Sequence, residues 1–356
     1  MVIIRMQDIL LCILVAMIFI HRYVPVDISS LWQYLLIGLV YFIVRSIPVY
    51  IKKYSVFFIL CWGICEVIIA LLQKWHCISS NHSWFEVTGT FGNPGPLGGF
   101  LGILCAGVIN VIYRRKKLND IRTLAWILIG ILLMYGVVIS GSRSGLLAAL
   151  TGIFVIFIRR IVSLIHKKRM KRVVVECFSA LTLLTSIGLI LYCLKPDSAD
   201  GRLLVWLNTL LLISDNPIFG WGTGGWTANY MLYQADFFAS YPQSPFSMLA
   251  DNVAYPYNEI LHIGAEYGLF GMALFIWLIV ESFRVRPSNC LSEILRISFG
   301  AFIVFSLFSY PFDVFQLTVM FAFLAASLEL RPVFYIRIPP HVRKVIVSAK
   351  RYHHSA

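Results

Sequence analysis

Residues 255–271 read YPYNEILHIGAEYGLFG, and four side chains within them can move protons or hold hydrogen bonds: Asn258, Glu259, His262 and Glu266. On a helix Asn258, His262 and Glu266 fall at i, i+4 and i+8 and share one face, while Glu259 and His262, three apart, are also neighbours. An imidazole flanked by carboxylates suits general acid–base work, because it titrates near neutrality and a carboxylate can orient its ring. Polar groups at the mouth of an apolar segment usually line a protein interior or a wet cavity, and a purely structural hydrogen-bonded cluster fits the same residues. Pro256 sits near the expected first helical position.

Two arginines stand in other settings where chemistry is plausible. Arg143 lies in SGSRSG, a small-residue turn at the start of an apolar segment, with Ser142 just before it. Backbone N–H groups and the positive end of a helix already make an anion site there, and a guanidinium adds bidentate geometry suited to phosphate. Arg202, in DGRLLVW, is expected in the first turn of a helix opened by Asp200, where a cation opposes the macrodipole and is best explained by an anion in front of it. The structural alternatives are a salt bridge to an outer acid for Arg143 and a lipid-headgroup contact for Arg202.

The elements that must position these residues are membrane helices. The chain of 356 residues is 59% hydrophobic and 13% charged, a composition that excludes an ordinary soluble domain. Ten apolar stretches are expected to span: 8–20, 31–47, 55–72, 95–113, 121–139, 145–158, 173–194, 259–281, 291–309 and 312–330. The first, with no small-residue cleavage site behind it, reads as a span or signal anchor. With the N-terminus cytoplasmic, only Arg22, Lys74, Arg143, Lys195 and Arg202 of the 30 Lys and Arg fall outside, so the basic residues sort to one side. That sorting also accounts for the net charge of +13 without nucleic acid.

The expected architecture is therefore an all-α polytopic membrane protein. Residues 1–194 hold spans one to seven, 195–258 a long outer loop, 259–330 spans eight to ten, and 331–356 a basic cytoplasmic tail. A loop of that length in a tightly wound chain is usually functional. Within it, residues 200–217 predict an amphipathic helix with an apolar stripe at Leu203, Leu207, Leu210 and Leu211, lying on the outer leaflet, and IFGWGTGGW reads as a turn-rich interfacial segment. An earlier outer loop, VTGTFGNPGPLGGF, is broken by Gly and Pro before a span, which by itself is plain helix punctuation. Glu66, in mid-span, is a functional candidate or a hydrogen-bonded structural carboxyl. The eight cysteines show no CxxC metal signature and no disulfide framework, although Cys77 and Cys193 could meet on the outer side.

Taken in order, GTFGNPGPLGGFLG (89–102), SGSRSG (140–145), GRLLVW (201–206), NPIFGWGTGGW (216–226) and YNEILHIGAEYGLFG (257–271) resemble the O-antigen ligase and polymerase superfamily. The resemblance covers residues 89–281. It implies an inverting membrane glycosyltransferase without a metal or other cofactor, of the bacterial inner membrane, with both termini cytoplasmic and the work done on the periplasmic face. The donor would be a glycan on undecaprenyl pyrophosphate, the acceptor another glycan, a lipid A core or a protein hydroxyl, and other polysaccharide-assembly proteins would be partners. Arg143 and Arg202 match the arginines that hold the pyrophosphate. Tyr257, Asn258, Glu259 and His262 fall on the catalytic motif, with Ser142, Asn93 and Glu266 in support.

One departure bears on mechanism. Ligases of this family carry a histidine directly before the motif's Asn, and this chain carries Tyr257. A neutral phenol costs about 4 kcal/mol to ionise at pH 7, unless arginines lower its pKa. His262 follows at ~7.5 Å along a helix axis. Either the base has moved to Glu259 or His262, or the reaction rests on leaving-group stabilisation and positioning. The tyrosine favours a polymerase over a ligase. Ten spans also fall short of the family's usual twelve. The reading from another class is a flippase for a lipid-linked glycan, against which stand the lack of an internal repeat and of discontinuous spans in matching positions.

Overall fold

The computed structural model describes residues 2–23, 28–115, 120–328 and 332–336. Helices form at all ten predicted stretches: α1 (Met6–Ile20), α2 (Ile28–Ser46), α3 (Val49–Lys74), α4 (Pro94–Arg114), α5 (Ile121–Ser140), α6 (Arg143–His166), α7 (Met170–Leu194), α10 (Glu259–Phe283), α11 (Cys290–Ser306) and α12 (Phe315–Ser327). Two more, α8 (Pro196–Asp215) and α9 (Gly225–Ser240), occupy the long loop. Among the described residues, six helices are long and apolar enough to cross a membrane: α3 from Tyr50, α4, α5, α6, α7 and α10. Met6–Ile20, Leu36–Ser46 and Phe315–Ser327 are shorter apolar helices. The protein is thus a helical, multi-pass membrane protein.

Several boundaries differ from the sequence reading. The sixth stretch is a full helix, because α6 runs on through its basic end to His166. The tenth begins later, since Pro311–Asp313 forms a separate 3-10 turn ahead of α12. At the N-terminus a short strand β1 (Val2–Arg5) pairs antiparallel with β2 (Pro332–Ile336), which falls in the segment read as a tail. The rest of that tail lies outside the described residues. Cys77 and Cys193 are both exposed and free, so the outer pairing does not form.

The hub is α4, whose Leu97, Phe100, Leu101 and Ile103 are fully buried. It packs against α6 with almost no side chain between them. A Cβ on Gly145 would strike the backbone of Gly98, one on Gly102 the carbonyl of Gly145, and one on Gly152 the backbone of Ala106. Small residues one helical turn apart allow this approach, which supplies the van der Waals attraction that membrane helices associate by. The glycines of the loop that leads into α4 therefore do more than punctuate. They bring the N-termini of α4 and α6 side by side, and Ser142 Oγ donates to the Gly95 carbonyl at 3.2 Å across the seam. Gly145→Leu is expected to destabilise the protein by about 1–3 kcal/mol or more, read as a lower melting temperature and loss of a monodisperse peak on size exclusion.

At the opposite ends of these helices, Arg114 and Arg159 both pair with the buried Glu293 of α11. Some of the basic residues that mark that side thus also tie α4, α6 and α11 together. Glu66 is structural in its contacts: it is fully buried and accepts from Trp62 Nε1 at 2.8 Å, from the Thr90 N–H at 2.9 Å and from the Thr90 hydroxyl at 2.5 Å. It anchors the loop before α4 to α3.

The eighth stretch is not a continuous helix. Gly268 has φ +65° and breaks α10, and a Cβ there would strike the carbonyl of Ile218. The break leaves backbone groups unpaired, which in a membrane costs several kcal/mol per group unless protein satisfies them. The segment 217–222 does so. Leu269 and Phe270 donate to the carbonyls of Pro217 and Ile218 at 2.7 and 3.2 Å, while Trp221 and Gly222 donate to those of Ala265 and Glu266 at 2.9 and 2.7 Å. A segment expected to lie at the interface is instead bonded backbone to backbone into the broken helix.

Candidate functional site

Two cavities adjoin the start of α10. The first, about 700 Å³, is lined by the opening residues of three helices: Asn93 to Gly95 at α4, Ser142 to Ser144 at α6, and Lys195, Asp197, Ser198, Gly201 and Arg202 at the start of α8. Asn93 caps α4 by accepting from the Gly95 N–H at 2.8 Å, and Ser142 caps α6 by accepting from the Gly145 N–H at 3.0 Å. Two of the three supporting residues are thus helix caps, and their helices point positive ends at one space. Arg143, Lys195 and Arg202 line it too, with Asp197 and Asp251 as the opposing charges, and Glu86 already held by Lys74 at 2.6 Å.

Arg143 is the first residue of α6, as the sequence suggested, but among the described residues no carboxylate holds it. Its guanidinium donates to the carbonyls of Leu191 and Lys195, both at 3.0 Å, and to Ser198 Oγ at 2.8 Å. It therefore joins the end of α7 to the start of α8. Arg202 requires a correction. The helix starts at Pro196, a favoured first residue, rather than at Asp200, so Arg202 is in the second turn and does not oppose the terminus directly. The case for an anion now rests on its surroundings. Its guanidinium lies over the Tyr257 ring, 5.1 Å from the centroid, and among the described residues no carboxylate pairs with it. Burial lowers its pKa, and Arg143 lowers it further, so the site concentrates positive charge.

The predicted stripe of α8 is exposed at Leu203, Leu207, Leu210 and Leu211, consistent with a lipid-facing side. Its other face packs Val205 and Leu212 against Trp226 and Tyr230 of α9 and Ala265 of α10. Helix α9 went unread in the sequence because its start is a left-handed Gly224 without a capping side chain.

Tyr257 stands outside α10, which begins at Glu259, so its spacing to His262 is not an axial rise and Pro256 is not the first helical residue. It adopts φ +54°, uncommon for a bulky residue and a local strain of the kind found at functional sites. That turn aims its ring at the arginine cavity, where Tyr310 also points, with the two rings 5.7 Å apart. Burial pushes the Tyr257 phenol up, Arg202 pulls it down without prevailing, and Asp251 adds to the rise. The arginine therefore does not make a phenolate base available at neutral pH. Tyr257→Phe is expected to retain most of the activity, with no rate increase toward pH 10 in the wild type to mark a tyrosine base; a pH–rate profile of both proteins checks this.

Asn258 is the cap of α10, its Oδ1 accepting from the N–H groups of Ile260 and Leu261 at 3.0 and 3.1 Å. Glu259, His262 and Glu266 come together as the spacing predicted. His262 Nδ1 is 3.6 Å from Glu259, its Nε2 is 3.5 Å from Glu266, and a third carboxylate, Asp313, lies 3.9 Å from Nδ1. Glu259 also accepts from the Phe312 N–H at 2.9 Å, and Glu266 from the Gly224 N–H at 2.6 Å. In the turn between α11 and α12, burial pushes the Asp313 carboxyl up to about 7, with His262 pulling it down and Glu259 and Glu266 adding to the rise.

This cluster does not face the arginines. It lines the second cavity, about 620 Å³, between α1, α2, α10 and α12. The two cavities share a wall in which Tyr255, lining the second, stacks on Tyr310, lining the first, at 4.2 Å. Asp313, Tyr310 and Tyr255 were not singled out in the sequence. An acid at the margin of an apolar stretch was the available signal for Asp313. Nothing local marks the tyrosines.

Residues 128–276 match a family model described as O-Antigen ligase. Over these residues, from α5 to α10, the chain is similar to the O-antigen ligases. No curated protein was found to match the chain in sequence. The O-antigen ligase match runs from within α5 through the break in α10. It includes Arg143, Arg202, Tyr257, Asn258, Glu259, His262 and Glu266, and leaves out Asn93 and Asp313. That similarity points to a ligase-like or polymerase-like membrane glycosyltransferase acting on lipid-linked glycans.

Proposed function

We propose that the protein is a metal-independent polymerase of glycan repeat units, drawing on an undecaprenyl-pyrophosphate donor at the periplasmic face of a bacterial inner membrane. Both termini are cytoplasmic in this reading, and all ten predicted stretches cross the bilayer. The observation that carries it is the convergence of three helix N-termini with Arg143, Lys195 and Arg202 on one cavity. Such an array stabilises the negative charge that grows on a departing pyrophosphate. His262, held among Glu259, Glu266 and Asp313, takes the proton of the acceptor hydroxyl from the other side of the tyrosine wall. Tyr257 in place of the ligases' histidine favours a polymerase over transfer to a lipid A core or a protein.

A flippase gains one observation, the broken helix α10, since discontinuous spans are common in transporters. The test is transfer by the purified protein in detergent with EDTA, supplied with its lipid-linked glycan. Lengthening chains support the polymerase, and a single transfer to lipid A core supports the ligase. An unconsumed donor that reconstituted vesicles nevertheless move across the bilayer overturns both in favour of the flippase.

A further inference from the structure

The second cavity differs from the arginine cavity in charge and in wall. At its polar end three carboxylates, Glu259, Glu266 and Asp313, surround a single imidazole. Glu259 and Glu266 are 2% and 7% exposed, so water screens them little. A phosphate placed there would meet an excess of like charge in a low dielectric. Sugar hydroxyls would not, because carboxylate oxygens are acceptors with lone pairs to spare. Away from that end the wall is apolar, from Leu14 and Ile18 of α1, Ile37 of α2, and Phe321 of α12. Val15 and Phe42, also on the lining, are 36% and 51% exposed, so the slot opens between α1 and α2 toward the bilayer side of the helices.

We propose that this cavity binds a glycolipid with an uncharged head, its apolar chain between α1 and α2 and its hydroxyl-bearing head against Glu259, His262 and Asp313. Charge thus sorts two ligands: an anionic lipid-linked glycan goes to the arginines and a neutral amphiphile to the acids. Acceptance of glycan by that amphiphile, beside chain lengthening, rests on the transfer reading above; its binding does not. Gly38 offers a way to block the slot, since it lines the cavity and a Cβ on it would meet nothing within 4 Å.

The full chain in nanodiscs would be photolabelled with a dodecyl glucoside carrying a diazirine on its chain, and with a dodecyl phosphate carrying the same group. The glucoside is expected to label α1, α2 and α12 about tenfold more strongly than the phosphate, and unlabelled dodecyl glucoside should protect saturably. Gly38→Trp should abolish the labelling, while Leu128→Trp, on the exposed face of α5, should leave it intact. Equal labelling by the phosphate, or no saturable protection in the wild type, overturns the proposal even if Gly38→Trp does not fold. Saturable labelling by a preparation that transfers no glycan supports the cavity and counts against the transfer reading. Active transfer without labelling does the reverse.

Discussion

Arg202→Ala is expected to lower glycan transfer about 10²- to 10³-fold, the usual cost of removing one preorganised charge stabiliser, with little change in melting temperature. Arg202 makes no ion pair among the described residues and donates to no helix end, so its loss strands no buried partner. The Tyr257 ring loses a cation–π contact worth about 0.5–2 kcal/mol, which the fold can bear. Arg202→Lys should recover part of the rate, since a point charge remains without the fork. Single-turnover rates with a lipid-linked donor, beside thermal melts, are the measurement. A variant that folds and transfers at the wild-type rate would remove the pyrophosphate role. Arg143→Ala is the less informative change, because Arg143 also holds the carbonyls of Leu191 and Lys195 and the Ser198 hydroxyl, so lost rate and lost structure would be mixed.

His262→Ala is expected to cost about 10²- to 10⁴-fold in turnover if the imidazole takes the acceptor proton. The acids around it would survive the change. Glu259 keeps the Phe312 N–H and Glu266 the Gly224 N–H, so neither carboxylate becomes an orphan. A structural histidine would behave differently, lowering the melting temperature while leaving the rate of the folded fraction unchanged. A base must be unprotonated to act, so an acid limb of the pH–rate profile that comes from His262 should disappear in the variant, whereas one that persists belongs to the neighbouring Asp313. Comparison with Tyr257→Phe completes the assignment: the phenol is raised by burial and is expected to be dispensable, although it occupies the position where ligases carry their histidine.

Much of this was legible in the chain because it follows from local rules. Apolar runs long enough for a bilayer become helices wherever backbone groups must pair within the segment, and all ten stretches are helical. The i, i+3 and i+7 spacing of Glu259, His262 and Glu266 likewise fixed their proximity, since helix geometry sets it. Arg143 at the head of α6 followed from Ser142 and the small residues about it. The similarity to O-antigen ligases was readable for the same reason, as the motifs that carry it are short contiguous runs.

What the sequence could not decide was every relation between segments far apart in it. Gly268 looks like an ordinary helical glycine until the loop at 217–222 supplies the hydrogen bonds that let α10 break there. The glycines at 98, 102 and 145 become a packing seam only when α4 and α6 meet; that seam sets two helix starts side by side, and Arg143 ties the third, that of α8, to the same electropositive cavity. Tyr257 and His262 are five residues apart, yet a left-handed turn at one and the start of α10 at the other send them to different cavities. Asp313 reaches His262 from α12's side of the bundle, across 51 positions of chain. Sequence therefore determined the helices, their apolar faces and the candidate residues, because propensity, periodicity and caps act over a few residues. Tertiary packing alone decided which charges share a space and which are kept apart, because close approach and Coulomb interaction depend on distance in three dimensions and not on position along the chain.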